Sequence, residues 1–404
     1  MALPTGYQQF EGQWQENAQL AWDTIAMKGD PKREVSRLGS PPAKGIPSWM
    51  LNIMDWGMLE ELAGDSPGSY RKEPVRVYLE AQRTAGAGII DQWIPENPLS
   101  MTDHGYDSGT ERGATTGTEK IVRDGMVIDS PESVVEHMEK VVFPQLVAWG
   151  KELDAKAEEH VARLIEQEVA VQKLFGMNML KGPYNGFQYF PGFAYGAYGY
   201  ENYFMAYALY PEVMERCFKL QGDVGEKHNA IAARAILEGG LPRLVRLDSD
   251  MADSRGMLVN VKSLDKLWLP HFARAIQPLL DAGVRLIWHC DGNLMDLVPR
   301  LLEAGLGGFQ GFQYEDGMDY ERICKMKTRD GDGLLIMAGV SVTRTLPFGT
   351  VDDVRREVKW LVEKGPKVGL ILGASSSVAP GAKRENIRAM IECFQHYRQR
   401  GRGD

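Results

Sequence analysis

Short apolar runs alternate with amphipathic helical patterns through the second half of the chain. Each apolar run has the length of a buried strand, and each is followed by a polar or glycine-rich loop and then by a helical pattern. The predicted strands are residues 244–247, 284–289, 308–313, 334–337 and 368–372. The predicted helices are residues 263–282, 294–304, 320–327, 351–364 and 384–397. This alternation predicts a parallel β-sheet whose strands are connected by helices.

An open doubly wound sheet and a closed barrel share this rhythm. We predict the barrel, because candidate functional residues follow several successive strands, whereas an open sheet concentrates them at one switch point. The chain also has no GxGxxG loop after a first strand. The predicted fold is therefore an α/β (β/α)8 TIM barrel over residues 46–404, with an N-terminal extension over residues 1–45. Helical and loop decorations are expected in the first half, including a helix at 15–27 and a polar loop at 103–117.

Composition excludes several classes of function. The chain has 404 residues, of which 44% are hydrophobic and 25% charged, as in a globular protein with a large core. Its net charge of -9 argues against binding to nucleic acid or to an acidic membrane surface. The four cysteines are scattered without CxxC spacing, which indicates reduced thiols. Without a signal-peptide pattern or a long apolar span, we expect a soluble, cytoplasmic protein without membrane contacts.

The strand at 284–289 ends in the first candidate for catalysis. Side chains alternate along a strand, so His289 and Asp291 point to one face and Cys290 points to the other. At the C-terminal end of a barrel strand, His289 and Asp291 are candidates for a metal site or for a base with its partner. The alternative is a structural histidine bonded to a backbone carbonyl. Cys290 is expected to be a small core residue, although a twist of the strand end would bring it to the metal.

The strand at 244–247 leads into a second candidate, the pair Asp248 and Asp250. Two carboxylates on one strand face repel each other, so they need a cation, a shared proton or hydrogen-bond donors. Both are therefore predicted as catalytic residues beside His289, acting on a metal, on a cationic substrate or as a general acid. The alternative is that each aspartate caps the turn that follows the strand.

Substrate-binding candidates lie in three further loops. Amide and carboxyl groups follow the strand at 308–313, serines follow the last strand, and an aromatic segment at 184–210 is broken by glycines. Such groups suit hydrogen bonding to a polar substrate, anion binding near a helix start and an apolar pocket wall. Solvated loops and core packing explain the same residues without a function. The candidate substrate-binding residues are Tyr195, Tyr198, Tyr200, Gln310, Gln313, Glu315 and Ser375.

Residues 241–397 contain several short motifs, which are DSDMAD at 248–253, HCDGN at 289–293, GVS at 339–341 with LPFGT at 346–350, and the segment 373–380 with ENI at 385–387. These motifs resemble the uroporphyrinogen decarboxylase superfamily, which includes corrinoid-dependent methyltransferases. A weaker similarity covers PGF at 191–193 and GYEN at 199–202. The resemblance implies a TIM barrel with its active site at the C-terminal ends of the strands.

This sequence differs from the superfamily pattern in two motifs, and both differences bear on the reaction that is expected. True uroporphyrinogen decarboxylases carry an arginine-rich RQAGRY segment that holds substrate carboxylates, and residues 46–50 here contain no arginine. Zinc methyltransferases of the superfamily use His-x-Cys and a later Cys, whereas this chain has Asp291 and Ala374 at those thiolate positions. The resemblance thus implies a superfamily member that is not a true uroporphyrinogen decarboxylase and whose candidate zinc ligands are His289, Asp291 and Cys290.

The expected function is methyl transfer from a small methylated substrate, such as a methoxylated aromatic compound, to a corrinoid. The resemblance implies that the corrinoid (cobalamin) is carried by a partner protein and that zinc is a candidate metal. A homodimer is a further expectation. One alternative is a decarboxylase of a porphyrinogen-like or other carboxylated substrate. A second alternative is a non-catalytic barrel that binds a ligand.

Overall fold

A computed structural model describes residues 6–27, 44–96 and 121–403 as a mixed α/β fold. A five-stranded parallel sheet in the order β11-β10-β9-β8-β5 forms its centre. The strands, in chain order, are β1 Ile89–Ile90, β2 Ile121–Arg123, β3 Met126–Ile128, β4 Leu180–Lys181, β5 Leu244–Asp248, β6 Ala252–Asp253, β7 Gly256–Met257, β8 Arg285–His289, β9 Gly308–Gln310, β10 Leu335–Val340 and β11 Leu370–Ala374. The five predicted strands are thus confirmed as one parallel sheet.

Helices connect the successive strands of the sheet. The α-helices are Glu16–Ile25, Trp56–Ala63, Ser69–Lys72, Pro74–Ala85, Pro131–His137, Phe143–Ala155, Ala157–Phe175, Tyr195–Tyr198, Tyr200–Leu209, Pro211–Gly239, Val261–Leu267, Leu269–Asp281, Val298–Ala304, Tyr320–Ile323, Thr345–Phe348, Val351–Lys364 and Arg384–Arg400. Short 3-10 helices occupy Tyr7–Phe10 and Tyr314–Asp316, and a π-helical turn occupies Met138–Val142. Within the described ranges, no helix is both long and apolar enough to span a bilayer.

One predicted helix is two helices in the structure. The pattern at 263–282 is interrupted at Trp268, which separates Val261–Leu267 from Leu269–Asp281. Pro270 lies in the first turn of the second helix, and because proline has no backbone N–H it cannot continue a helical hydrogen-bond ladder. The apolar period continues through the break, which is why the pattern alone predicts a single helix.

Pairing continues beyond the five-stranded sheet into the first half of the chain. Parallel bridges join Ser48 to Leu372 and Trp49 to Ile89, and β1 pairs in parallel with β4. The paired segments therefore run from β5 through β11 to residues 48–49, then to β1 and β4. No backbone pairing between β4 and β5 is present within the described residues. The predicted closed barrel is thus not shown by the pairing, and the architecture that is shown is an α/β fold with a parallel sheet.

The strands in the first half of the chain are too short to be predicted from the sequence. Strands β1 and β4 contain two residues each, too few for an alternating pattern. The predicted helix at 15–27 is present as Glu16–Ile25, and Tyr7 donates a hydrogen bond to the Lys181 carbonyl, so the described part of the 1–45 extension packs on the core. The predicted loop at 103–117 and residues 28–43 lie outside the described residues.

Aromatic packing fixes strand β8 against the helix that precedes it. Trp268 and Phe272 stack with ring centroids 4.4 Å apart, and the Trp288 ring meets Phe272 edge-on at 5.5 Å. All three side chains are almost completely buried. Because Trp288 is the neighbour of His289, this contact also fixes the end of the strand from which His289 projects.

We expect that replacing Gly308 with alanine will destabilise the fold by about 2–3 kcal/mol. The added methyl group would overlap the Leu335 carbonyl oxygen and lie 2.8 Å from a methyl group of Ile287. Leu335 is the register partner of Gly308, so its backbone cannot move without loss of pairing. Urea denaturation measures the loss. The control is Gly196→Ala, which meets no atom within 4 Å; an equal loss in both variants would contradict the explanation.

Candidate active site

Strand register brings the predicted catalytic residues to one edge of the sheet. Asp248 pairs with His289, and His289 pairs with Gln310. Paired residues in a parallel sheet point to the same face. Asp248, His289 and Gln310 therefore form a row along the C-terminal ends of β5, β8 and β9, as the sequence predicts.

A buried arginine lies beneath this row. Arg246 on β5 is 3% exposed. Its Nε donates to Asp91 Oδ2 at 2.8 Å, and its Nη1 donates to Asp248 Oδ2 at 3.0 Å. The guanidinium also lies over the ring of Tyr184 at 4.4 Å and over the ring of Trp49 at 5.2 Å. This arginine therefore links β5 to residues that follow β1 and β4.

The ion pairs keep Arg246 and Asp91 charged despite their burial. Burial alone would lower the pKa of Arg246, but the charges of Asp91, Tyr184 and Asp248 raise it well above its usual range. Burial alone would raise the pKa of Asp91, but Arg246 and a hydrogen bond from Trp49 lower it. The Tyr184 hydroxyl donates a further hydrogen bond to Asp248 at 3.0 Å.

His289 is buried and faces Asp291. Its Nδ1 lies 3.3 Å from the Gln310 carbonyl oxygen, and its Nε2 lies 4.0 Å from Asp291 Oδ1. Burial alone would lower the pKa of His289, but the neighbouring charges of Asp248 and Asp291 raise it above its usual value. The contact with the Gln310 carbonyl oxygen is the one expected of a structural histidine, and the contact with the Asp291 carboxylate is the one expected of a functional histidine.

Asp250 and Asp291 form a second pair at the rim. The Asp291 N–H donates to Asp250 Oδ1 at 3.1 Å, while Gln313 Nε2 and Ser376 Oγ donate to the Asp291 carboxylate at 3.3 Å and 3.2 Å. Desolvation and the charge of Asp291 raise the pKa of Asp250, although the residue itself is exposed. Desolvation also raises the pKa of Asp291. Both carboxyls can therefore hold a proton at a higher pH than an aspartate in water.

Cys290 points away from this site. Its sulfur accepts from the Met251 N–H at 3.4 Å and donates to the Asp291 carbonyl oxygen at 3.1 Å, and burial raises the pKa of the thiol. The described residues bring together no group of three or more His, Cys, Asp or Glu side chains that could hold a metal ion. His289, Asp291 and Cys290 do not form a single ligand set, so zinc does not fit the donors as they are arranged.

The predicted substrate-binding residues are divided between the site and the core. The Tyr195 hydroxyl lies 3.4 Å from the Asp250 carbonyl oxygen, and the rings of Tyr195 and Tyr200 are 4.6 Å apart at the rim. Tyr198 lies elsewhere, with its hydroxyl 2.9 Å from His137 Nδ1. Ser375 is fully buried, and its Oγ accepts from the Val342 N–H at 3.1 Å. Tyr195 and Tyr200 thus lie beside the carboxylates, whereas Tyr198 and Ser375 have structural partners.

Gln310 and Glu315 present polar atoms without partners. Gln310 is 2% exposed, and neither its Oε1 nor its Nε2 has a hydrogen-bond partner in the described part of the chain. Glu315 Oε1 accepts from the hydroxyls of Ser341 and Thr343, and its buried Oε2 has no partner among the same residues. Gln313 instead supports the site, since its side-chain oxygen accepts from the Gly292 N–H at 2.6 Å.

Several site residues were not predicted. They are Trp49, Asp91, Tyr184, Arg246 and Ser376. A signal was available for Arg246, because it is a lone charge within an apolar strand and lies two positions before Asp248, on the same face. Asp91 and Trp49 gave little signal, since the short segments that carry them cannot be recognised as strands.

Gly311 permits the close approach of the strand ends. It has a φ of +69°, and a Cβ at this position would overlap the Ser375 carbonyl oxygen and lie 3.0 Å from His289 Nδ1. A larger residue would be strained by the backbone conformation and would push against His289. The turn after β9 therefore helps to fix the imidazole.

An open cleft of about 850 Å³ lies beside the site. Tyr200, Asp253, Arg255 and Lys262 contribute to its lining. The Asp253 carbonyl oxygen accepts from the Asn293 N–H at 2.8 Å, which connects this cleft to the loop after β8. The cleft offers space for a substrate or a partner next to Asp250.

Glu357, behind the strand end of β10, is expected to make stability depend on pH. Burial raises the pKa of its carboxyl to about 7, and Oε1 accepts from the Ser341 N–H at 2.7 Å. The protonated form is favoured by folding, so this contribution is full below the usual glutamate pKa and is lost as pH rises through about 7. Relative to Glu357→Gln, the wild type should lose about 2–3 kcal/mol between about pH 4 and about pH 8. Urea denaturation at the two pH values measures this difference; parallel pH profiles would contradict the assignment.

Comparison with known proteins agrees with the motifs. Residues 199–397 match the family model of uroporphyrinogen decarboxylase (URO-D). The fold is similar to that of a methyltransferase from Methanosarcina mazei, with a TM-score of 0.51 and 14% identity over 95% of this chain and 98% of that one. At this identity the likeness is one of fold. A search of curated proteins finds no match. The matched segment contains β5, β8 to β11 and the row of Asp248, His289 and Gln310, so this part of the chain is similar to the uroporphyrinogen decarboxylase family.

Proposed function

We propose that this protein is a methyltransferase that moves a methyl group from a small methylated substrate to a corrinoid held by a partner protein. The observation that carries the proposal is the convergence of His289, Asp250 and Asp291 at the C-terminal strand ends, above an arginine that is already paired with carboxylates. The fold likeness to a methyltransferase is consistent with this reaction class.

The site residues supply acid chemistry at the rim. A methyl group bound to oxygen or nitrogen leaves more readily when the heteroatom is protonated or already carries a positive charge. The raised pKa values of Asp250 and Asp291 favour a carboxyl that keeps a proton close to the substrate. Tyr195 and Tyr200 provide an aromatic wall beside these carboxyls. The corrinoid would supply the acceptor for the methyl group, and no step here is assigned to zinc.

Decarboxylation of a porphyrinogen-like substrate is less well supported. Such a substrate needs cations that hold its carboxylates, and Arg246 is already bonded to Asp91 and Asp248. The carboxylates at the rim would repel an anionic substrate. A non-catalytic barrel is also disfavoured, because shifted pKa values at converging side chains are typical of active sites.

We further propose that the parallel sheet belongs to a closed barrel. A closed (β/α)8 barrel is supported by the paired segments that run from β5 round to β4. Arg246 and Tyr184 cross the interval between these two strands through side-chain contacts. The corrinoid protein as partner, the homodimer and the cytoplasmic location stay predictions.

The proposal is tested by incubating the purified protein with reduced cobalamin and candidate methyl donors, including methoxylated aromatic compounds and methylated amines. We expect consumption of the donor and loss of the reduced-corrinoid absorbance. His289→Ala should reduce the rate by about 10²-fold. His396→Ala, an exposed histidine on the last helix, is the matched control and should retain it. No transfer from any donor, or equal rates for the two variants, would refute the proposal.

A further inference from the structure

The site has an excess of negative groups. Asp248 ends β5, the loops after β5 and β8 bring Asp250 and Asp291 together, and Glu315 lies in the 3-10 helix that follows β9. The buried cation beneath them, Arg246, is shared between Asp248 and Asp91. Neighbouring carboxylates repel each other, so a ligand that brings positive charge would stabilise the arrangement further.

A second observation points to a ligand independently. Gln310 is 2% exposed, and both polar atoms of its amide lack partners in the described residues. The amide lies on the same sheet face as His289, its register partner. A buried polar group without a hydrogen bond destabilises the protein, so a group from a ligand or solvent is needed to satisfy it. The buried Oε2 of Glu315 is a further acceptor without a partner.

The carboxylates and the unpartnered polar atoms together indicate which chemical groups the ligand carries. The available side-chain oxygens of Gln310 and Glu315 accept hydrogen bonds, and the surrounding carboxylates attract positive charge. We propose that the site binds a methylated ammonium ion, whose nitrogen carries both the positive charge and an N–H donor. This inference rests on the proposed function and names the substrate class of the same site.

An ammonium substrate also balances the chemistry of methyl transfer. The bond between the methyl carbon and nitrogen breaks, and its electron pair stays on nitrogen, which leaves as a neutral amine. The reduced corrinoid supplies the electron pair for the new bond to carbon. For trimethylammonium the product is dimethylamine, and no proton has to be added or removed. The carboxylates are then needed to bind the cation and to orient its methyl group.

Isothermal titration calorimetry at low ionic strength tests the inference with three probes of similar shape. They are trimethylammonium chloride, which is cationic, 2-methyl-2-propanol, which is neutral, and sodium pivalate, which is anionic. We expect trimethylammonium to bind at least about tenfold more tightly than the alcohol, and its affinity to fall as salt screens the carboxylates. Pivalate should not bind measurably.

Matched variants locate the binding. Asp250→Asn and Gln310→Met should each weaken trimethylammonium binding by about tenfold. Asp281→Asn removes one negative charge from an exposed helix end and should leave the affinity unchanged. Asp250 lies at the exposed rim, so its variant is expected to fold, and circular dichroism verifies this for all three.

The outcomes separate this inference from the proposed function. Equal affinity for the three probes, equal effects of Asp250→Asn and Asp281→Asn, or binding of Zn²⁺ in place of trimethylammonium would overturn the inference. Methyl transfer from a methoxylated aromatic compound without trimethylammonium binding would overturn it and leave the methyltransferase proposal intact. Trimethylammonium binding without methyl transfer to cobalamin from any donor would support the ligand class and refute the methyltransferase.

Discussion

Replacing Arg246 with methionine is expected to lower the free energy of unfolding by about 3–5 kcal/mol. The variant removes a buried cation and leaves the Asp91 carboxylate, which is 5% exposed, without its main ion pair. It also removes the contacts of the guanidinium with the rings of Trp49 and Tyr184. Urea denaturation at neutral pH measures the loss.

Two comparisons show whether the loss comes from the uncompensated charge. Arg274→Met breaks exposed ion pairs with Asp223 and Glu226 and should cost less than about 1 kcal/mol. The double variant Arg246→Met with Asp91→Asn removes the stranded charge and should be more stable than Arg246→Met alone. An equal loss for both arginines, or no recovery in the double variant, would contradict the role assigned to Arg246.

Asp250→Asn is expected to reduce turnover by about 10²-fold while leaving the fold intact. The substitution keeps the size of the side chain, and the Asn side-chain oxygen can still accept the hydrogen bond from the Asp291 N–H. It removes the charge and the proton-holding capacity that the raised pKa of Asp250 indicates. Steady-state kinetics with a corrinoid acceptor and a melting curve on the same preparation measure both effects.

The division of the effect between kcat and KM distinguishes two roles of Asp250. A fall in kcat indicates a general acid, whereas a rise in KM for a cationic substrate indicates electrostatic binding. Asp281→Asn is again the control and should show normal kinetics. An Asp250→Asn variant that is less stable but fully active would make Asp250 a structural residue, as a capping aspartate would be.

The sequence was most informative where apolar runs end in polar residues. Strands β5 and β8 are clear because short, mainly apolar runs precede Asp248 and His289, so their meeting at one edge was predictable. The orientation of Cys290 was also predictable, since alternation along a strand places it opposite its neighbours. Tyr198 could not be assigned in the same way, because its hydroxyl is directed by His137, a residue 61 positions away.

The remaining features depend on contacts between distant segments. Asp91 and Arg246 are 155 positions apart, and no local period indicates that they form an ion pair. Barrel closure was predicted from the alternation of strands and helices along the chain. That alternation does not determine whether β4 and β5 form backbone hydrogen bonds with each other. The metal prediction relied on residue types, whereas ligation requires the donors to point to one centre, and Cys290 points elsewhere.

The interval between β4 and β5 has a consequence for the motions of the fold. Side-chain contacts of Arg246 and Tyr184, and no backbone ladder, join the two sides there among the described residues. Amide groups along such an interval lack the mutual protection of paired strands, so local opening should begin there and hydrogen exchange should be faster than in β8 to β10. Since Asp248 belongs both to this side-chain link and to the site, a ligand that competes with Arg246 for its carboxylate would loosen the link. Binding of such a ligand at the site would then raise the rate of amide hydrogen exchange between β4 and β5.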